Sequence, residues 1–146
     1  MSLWYVLMMK NSDIFRENTP KSTGLCPFCK IKNSIVIAEN KTVYAIRDSS
    51  PVSLNHMIII PKRHCLDYFE MTSQERCDAH KLIETLKDRI LENDPLVKGF
   101  NIGVNCGETA GQTVFHTHIH LIPRRKKDTP NPRGGVRGVI PDKMNY

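Results

Sequence analysis

Apolar and polar residues follow two different periods along this chain. Residues 35–39 and 43–47 read as short strands, and Asn40-Lys41 between them suits a hairpin turn. Asp48-Ser49-Ser50-Pro51 breaks the second strand. Residues 56–61 then form a buried third one, with Ile58, Ile59 and Ile60 closed by Pro61. Beyond it the period lengthens. Ala79, Leu82, Ile83, Leu86 and Ile90 recur at helical spacing with charged residues between them, Thr72 and Glu75 have the spacing of a capping box, and Asn93-Asp94-Pro95 supplies the stop. Two further strands, 100–104 and 115–122, flank a loop that carries Gly107 and Gly111. Three strands, a helix and two strands with short links predict an α+β fold, an antiparallel five-stranded sheet with a long helix on one face.

Composition narrows this picture. A chain of 146 residues with 40% hydrophobic content suits one compact domain that folds without staples. No run approaches the roughly 18 apolar residues of a membrane span, so no membrane partner is expected. The formal charge of +6 is concentrated at the C-terminus: residues 124–146 hold seven Lys and Arg against two Asp. That stretch is rich in Pro and Gly, without interleaved aromatics to stack bases, and a nucleic-acid partner is not expected. Five cysteines make a poor disulfide framework. The first nine residues lack a basic segment and a small-residue cleavage site, so the expected location is the cytoplasm. The expected division is an N-terminal extension over 1–24, partly without fixed structure, a domain over 25–123 and a basic tail over 124–146.

The chemistry concentrates in Gly111-Gln112-Thr113-Val114-Phe115-His116-Thr117-His118-Ile119-His120-Leu121-Ile122-Pro123. On a strand, alternate side chains share a face, which would align His116, His118 and His120 about 6.5–7 Å apart at the backbone. Three imidazoles that titrate near neutral pH suit two chemistries: a hydrolytic zinc centre with an open position, or a nucleophilic histidine flanked by phosphate-binding neighbours. Spacing alone leaves both open. Cys26-Pro27-Phe28-Cys29 is equally open, as half of a tetrahedral zinc site, a metal-free dithiol or a disulfide. Cys65, Cys77 and Cys106 read as small buried or half-buried side chains, and His80 as a solvated residue of the helix.

The context resembles the histidine triad (HIT) superfamily of nucleotide hydrolases and transferases. Three parts of the chain carry the likeness: Asp48 with the segment SPVSLNHMIIIPKRH ending at His64, the block from Asn105 to Pro123, and the run GQTVFHTHIHLIPR. It is similar to the bacterial Hit-type branch, nearer to Fhit-like than Hint-like enzymes, because LIPR follows the triad. The resemblance implies a HIT-like fold that dimerises, and His118 as a nucleophile attacking the α-phosphorus of a nucleotide to give a nucleotidyl-histidine. It implies that His120 and His56 bind phosphate oxygens, that Thr113, Gln112 and Asn105 line the phosphate and leaving-group side, and that Asp48 binds ribose hydroxyls. It also implies a structural zinc on Cys26, Cys29, His64 and His116. The expected substrate is a dinucleoside polyphosphate, a nucleoside phosphoramidate or an adenylylated metabolite, and the expected partner a second copy of the chain, with the basic tail near the partner's site. Two alternatives stand beside this: a zinc-stabilised nucleotide-binding module without turnover, and a zinc-dependent hydrolase with all three histidines as ligands.

Overall fold

The computed structural model describes residues 26–146, so the expected N-terminal extension lies outside the described residues. Five strands form one antiparallel sheet: β1 (Ala38–Glu39), β2 (Val43–Arg47), β3 (Met57–Pro61), β4 (Val97–Val104) and β5 (Ile119–Arg125). They lie in the order β1-β2-β3-β5-β4, with helix α1 (Ser73–Asn93) between β3 and β4 in the chain. Inserting β5 between β3 and β4 places the end of the histidine run beside the turn that opens β3, since Ile58 and Gly103 both pair with His120.

The helix forms where its pattern predicts. Thr72 Oγ1 accepts the Glu75 amide at 3.1 Å and the Glu75 carboxylate accepts the Thr72 amide at 2.7 Å, which satisfies two amides that the first turn leaves without helical partners. Ala79, Leu82, Leu86 and Ile90 then face the sheet and pack with Val43, Ala45, Ile59, Ile119 and Leu121. Tyr44, Ile46, Ile58 and Ile60 point to the opposite face, where Phe28, Ile31 and Val36 cover them. Coverage on both sides is why β2 and β3 read as nearly continuous apolar runs. At the helix start, Arg63 binds the Glu75 carboxylate through Nε and Nη2, both at 2.9 Å. Asp78 accepts from Thr42 Oγ1 at 2.7 Å and from Gln74 at 2.8 Å, fastening α1 to the β1–β2 turn.

Strand limits differ from the sequence reading in three places. Residues 33–35 form a 3-10 turn, which shortens the first strand to two residues. β4 starts at Val97. The last strand runs from Ile119 to Arg125 and not over 115–122, so it crosses the expected boundary between domain and tail. Its late start has a tertiary cause: the Thr117 amide donates to the Cys65 carbonyl at 2.8 Å, a loop partner outside the ladder. Its late end is possible because pairing with β3 stops at Leu121, leaving Pro123 flanked by β4 alone, a setting in which proline is tolerated. Cys65 is buried and Cys106 half-buried, as read from the sequence, but Cys77 is exposed on α1. His80 is also exposed, 3.6 Å from Glu84.

Candidate active site and metal cluster

The three alternating histidines divide between two sites. Because 116–118 precede the regular strand, His116 turns toward the N-terminal knuckle while His118 and His120 stay together, their ring centroids 5.3 Å apart. The expected single row is therefore broken at His116. Phe28, inside the Cys-x-x-Cys segment, stands edge-on to both His116 and His118, with centroids at 6.0 and 5.4 Å. Nothing in the sequence marks Phe28 for this role, because its contacts depend on how the knuckle folds back over the sheet.

At the knuckle, Cys26, Cys29, His64 and His116 bring four donor atoms within 4.8 Å of one another. His116 Nδ1 lies 3.3 Å from Cys26 Sγ, 3.5 Å from Cys29 Sγ and 3.2 Å from His64 Nδ1, and His64 Nδ1 is 3.3 Å from Cys29 Sγ. A tetrahedral zinc with ordinary Zn–N and Zn–S bonds would separate its ligand atoms by about 3.3–3.8 Å, which these spacings approach. His116 Nε2–H donates to the Pro61 carbonyl at 2.8 Å, leaving Nδ1 with its lone pair aimed into the cluster. A partner of this kind holds a metal-binding imidazole in the required tautomer. Burial, together with neighbouring Cys26, raises the Cys29 thiol above its ordinary value, so ionising Cys29 here would call for a cation beside it. The donor set fits zinc.

The second group, Asp48, His56 and His120, sits where the loop from β2 to β3 meets β5. The Val52 amide donates to His56 Nδ1 at 3.2 Å, which places the His56 proton on Nε2. That Nε2–H faces His120 Nδ1 at 2.9 Å, so His120 accepts there and carries its own proton on Nε2. Asp48 Oδ2 lies 3.5 Å from the first ring and 3.6 Å from the second, and Oδ1 accepts the Ser50 amide at 2.8 Å. Burial is the chief reason both imidazoles titrate below their ordinary value, only partly offset by the Asp48 charge; for His120 the neighbouring His118 and His56 push the same way. His118 Nδ1–H donates to the His116 carbonyl at 2.8 Å, which leaves Nε2 as the free basic nitrogen. The Val52 amide belongs to this site through its main chain, which no side-chain pattern reveals.

The other expected residues are spread around this centre. Asn105 borders a cavity of about 360 Å³ together with His56, His120 and Ile122. Thr113 is exposed on the loop before the triad. Gln112 is buried and committed to the loop itself: its side-chain oxygen accepts the Gly107 amide at 2.8 Å, and its nitrogen donates to the Val114 carbonyl at 3.1 Å and to the Leu66 carbonyl. The basic tail packs against its own chain, with Val136 and Val139 on the wall of the same cavity. Arg133 and Arg137 of that tail sit 5.8 and 5.3 Å from the Tyr146 ring.

Residues 30–127 match the HIT domain. The chain belongs to the HIT domain family. A HIT family protein from Bacillus anthracis str. 'Ames Ancestor', known from a crystal structure, superposes with a TM-score of 0.67 at 35% identity, over 73% of this chain and 78% of that one. Adenylylsulfatase HINT3 of Arabidopsis thaliana is 36% identical over 110 residues, which are 70% of this chain and 54% of that protein. A Zn-bound histidine triad family protein from Mycobacterium smegmatis aligns with a TM-score of 0.61 at 26% identity, covering 84% of this chain and 78% of its own. These two solved HIT proteins share the fold described above. Among the described residues, no helix of this HIT protein is long and apolar enough to cross a membrane.

Proposed function

We propose that this chain is an enzyme that transfers a nucleoside monophosphate group from a nucleotide substrate to His118 and then to water. One observation carries the reading: the His116 carbonyl accepts a hydrogen bond from His118 Nδ1–H, so Nε2 is the nucleophile, beside a His120 ring whose Nε2–H is fixed as a donor. In the first step a bond forms from His118 Nε2 to the α-phosphorus, and the phosphoanhydride or phosphoramidate bond to the leaving group breaks, its electron pair departing with that group, which takes up a proton from solvent where it leaves as an amine. In the second, a water oxygen attacks phosphorus, the N–P bond breaks and the imidazole recovers its lone pair while the water proton is released. Splitting the displacement this way replaces one difficult step with two easier ones. His120 Nε2–H stabilises the negative charge on the phosphoryl oxygens. His56 acts through His120, since both of its nitrogens are engaged within the fold, and is a positioning residue. Asp48 takes the ribose hydroxyls, while Asn105 and Thr113 serve the phosphate and leaving-group side and Gln112 shapes their loop. The likeness to the Arabidopsis adenylylsulfatase supports adenylyl compounds as the substrate class.

In the same reading one zinc is bound by Cys26, Cys29, His64 and His116, a closed set of four ligands that stabilises the fold and leaves no position for a reactant. The Zn-bound relative supports it. A hydrolytic centre using all three histidines is disfavoured by geometry, because the His116 ring faces the cysteines. The test is His118→Ala, assayed with diadenosine triphosphate, adenosine 5′-phosphoramidate and adenylyl sulfate. We expect kcat to fall by about 10³-fold or more with nucleotide binding retained, and an acid-labile, base-stable label to be trapped on the wild-type protein from an α-phosphate-labelled substrate. Turnover within about tenfold of wild type would overturn the nucleotidyl-histidine.

A further inference from the structure

The direction of the proton between His56 and His120 is set from outside the pair. Asp48 Oδ2 stands 3.5 Å from His56 Nε2 and 3.6 Å from His120 Nδ1, so the carboxylate favours neither nitrogen as the one that carries the proton. The Val52 amide breaks this symmetry, because its hydrogen bond of 3.2 Å to His56 Nδ1 obliges that ring to carry its proton on Nε2. One main-chain donor thus orients both rings, and through them the Nε2–H that His120 turns to the phosphoryl group. His120 is therefore only as well oriented as the Val52 amide is held.

That amide lies in the loop from β2 to β3, which main-chain bonds close on itself. The Asp48 amide donates to the His56 carbonyl at 3.0 Å, and the His56 amide to the Ser53 carbonyl at 3.1 Å. Pro51, Val52 and Leu54 are exposed, so apolar packing does not hold the turn, whereas Ser53 is half-buried. Its hydroxyl donates to the Pro123 carbonyl at 2.7 Å. Pro123 lies past Leu121, where the pairing of β5 with β3 stops, and the hydroxyl takes the place of the missing ladder partner. Arg125 Nη2 adds a longer bond of 3.3 Å to the Leu54 carbonyl, and Asp94 braces the same guanidinium at 2.6 Å. The strand that carries His120 thus also grips the loop that carries the Val52 amide.

We propose that Ser53 is a positioning residue for nucleotidyl transfer: by anchoring the loop to Pro123 it keeps the Val52 amide on His56 Nδ1, and so keeps the His120 proton on Nε2. The inference rests on the nucleotidyl-transfer reading above. Without the anchor the amide leaves His56 Nδ1 and the two rings exchange roles. His56 then carries its proton on Nδ1, while His120 donates from Nδ1 to His56 Nε2 and turns a lone pair toward the phosphoryl oxygens. A lone pair repels anionic oxygens, so that form has lost the donor that stabilises their charge. The phosphoryl group is common to every substrate, which makes the loss independent of the leaving group.

The test compares Ser53→Ala with Ser53→Thr in the full chain. Long-range proton–nitrogen correlation spectra of the histidine rings at neutral pH should show His56 and His120 protonated on Nε2 in the wild type, and a mixture of both forms in Ser53→Ala. Removing one loop hydrogen bond should lower Tm by no more than about 4 °C. The kcat of Ser53→Ala should fall about tenfold for diadenosine triphosphate and for adenosine 5′-phosphoramidate alike, with KM within about twofold. Threonine keeps the hydroxyl, so Ser53→Thr should restore both the ring protonation and kcat. Unchanged ring protonation in Ser53→Ala, an unchanged kcat, or a loss that Ser53→Thr does not restore would overturn the role of Ser53. A wild-type protein that turns over neither substrate would defeat the nucleotidyl-transfer reading instead, and the ring spectra would still decide whether Ser53 sets the protons.

Discussion

Replacing Glu75 with Gln isolates one interaction that joins the helix to the segment bearing His64. In the folded protein the Glu75 carboxylate accepts two bonds from Arg63 and one from the Thr72 amide, and the Arg63 bonds are the main reason its pKa is pulled from 4.5 to about 2. Holding a carboxyl that low corresponds to at most about 3.4 kcal/mol of stability at neutral pH. The Arg63 side chain is 50% exposed while that of Glu75 is 6% exposed, and solvent screening at the guanidinium reduces this to about 1.5–2 kcal/mol. Glutamine keeps the size and one acceptor, so the loss is of charge. The folded-state pKa lies below the unfolded one, so the stabilisation is complete above about pH 4.5 and is lost as pH falls toward about 2. Urea unfolding of both proteins at pH 7 should therefore differ by about 1.5–2 kcal/mol, or about 5 °C in Tm, and the difference should shrink steadily below pH 4.5. Subtracting the two proteins cancels the titration of every other group. A difference that stays constant down to pH 3, or one below about 0.5 kcal/mol at pH 7, would refute the assigned role of the pair.

Elemental analysis of untagged protein should find about one zinc per chain, and Cys26→Ser should remove it and lower Tm more than it lowers nucleotide affinity. Brief chelation should spare turnover, because a closed four-ligand site releases its metal slowly. His56 and His120 both titrate below 6.5, so their neutral forms prevail at neutral pH, and folded stability at these rings is present above 6.5 and lost as pH falls through their lowered values. The profile of kcat/KM should accordingly show a limb that falls on acidification, and activity that rises toward pH 5 would contradict the donor geometry at His120. Light scattering should return twice 16.7 kDa, since β4 is an open sheet edge with Ile102 exposed, and a second copy is the partner we assign to it.

What the sequence reveals depends on how locally each feature is determined. The helix is legible because Thr72, Glu75 and the spacing from Ala79 to Ile90 all act within a few residues of one another. β2 and β3 are legible as apolar runs because cover on both faces leaves no polar alternation to misread. The histidine run is legible as chemistry but not as geometry. Its division is set by Cys65 and Pro61, more than fifty residues earlier, which take up the Thr117 amide and the His116 ring. The same holds for Gln112, a polar side chain in a phosphate-like context whose atoms are consumed by Gly107, Leu66 and Val114. The strand ends near 35 and 122 are not legible, because a 3-10 turn and an edge-tolerated proline both depend on which neighbours a strand has.

His116 offers two different groups to its surroundings. Its ring faces the cysteines, and its carbonyl accepts a hydrogen bond from His118 Nδ1–H. Replacement alters only the first of these, because every amino acid brings a carbonyl to position 116. The orientation of the His118 ring is thus heritable independently of the side chain at position 116. A variant without the cysteines and with another residue at position 116 would retain the hydrogen bond that holds the His118 ring, provided the new side chain still filled the space beneath Pro61. The cysteine cluster and the hold on the His118 ring can therefore be altered separately.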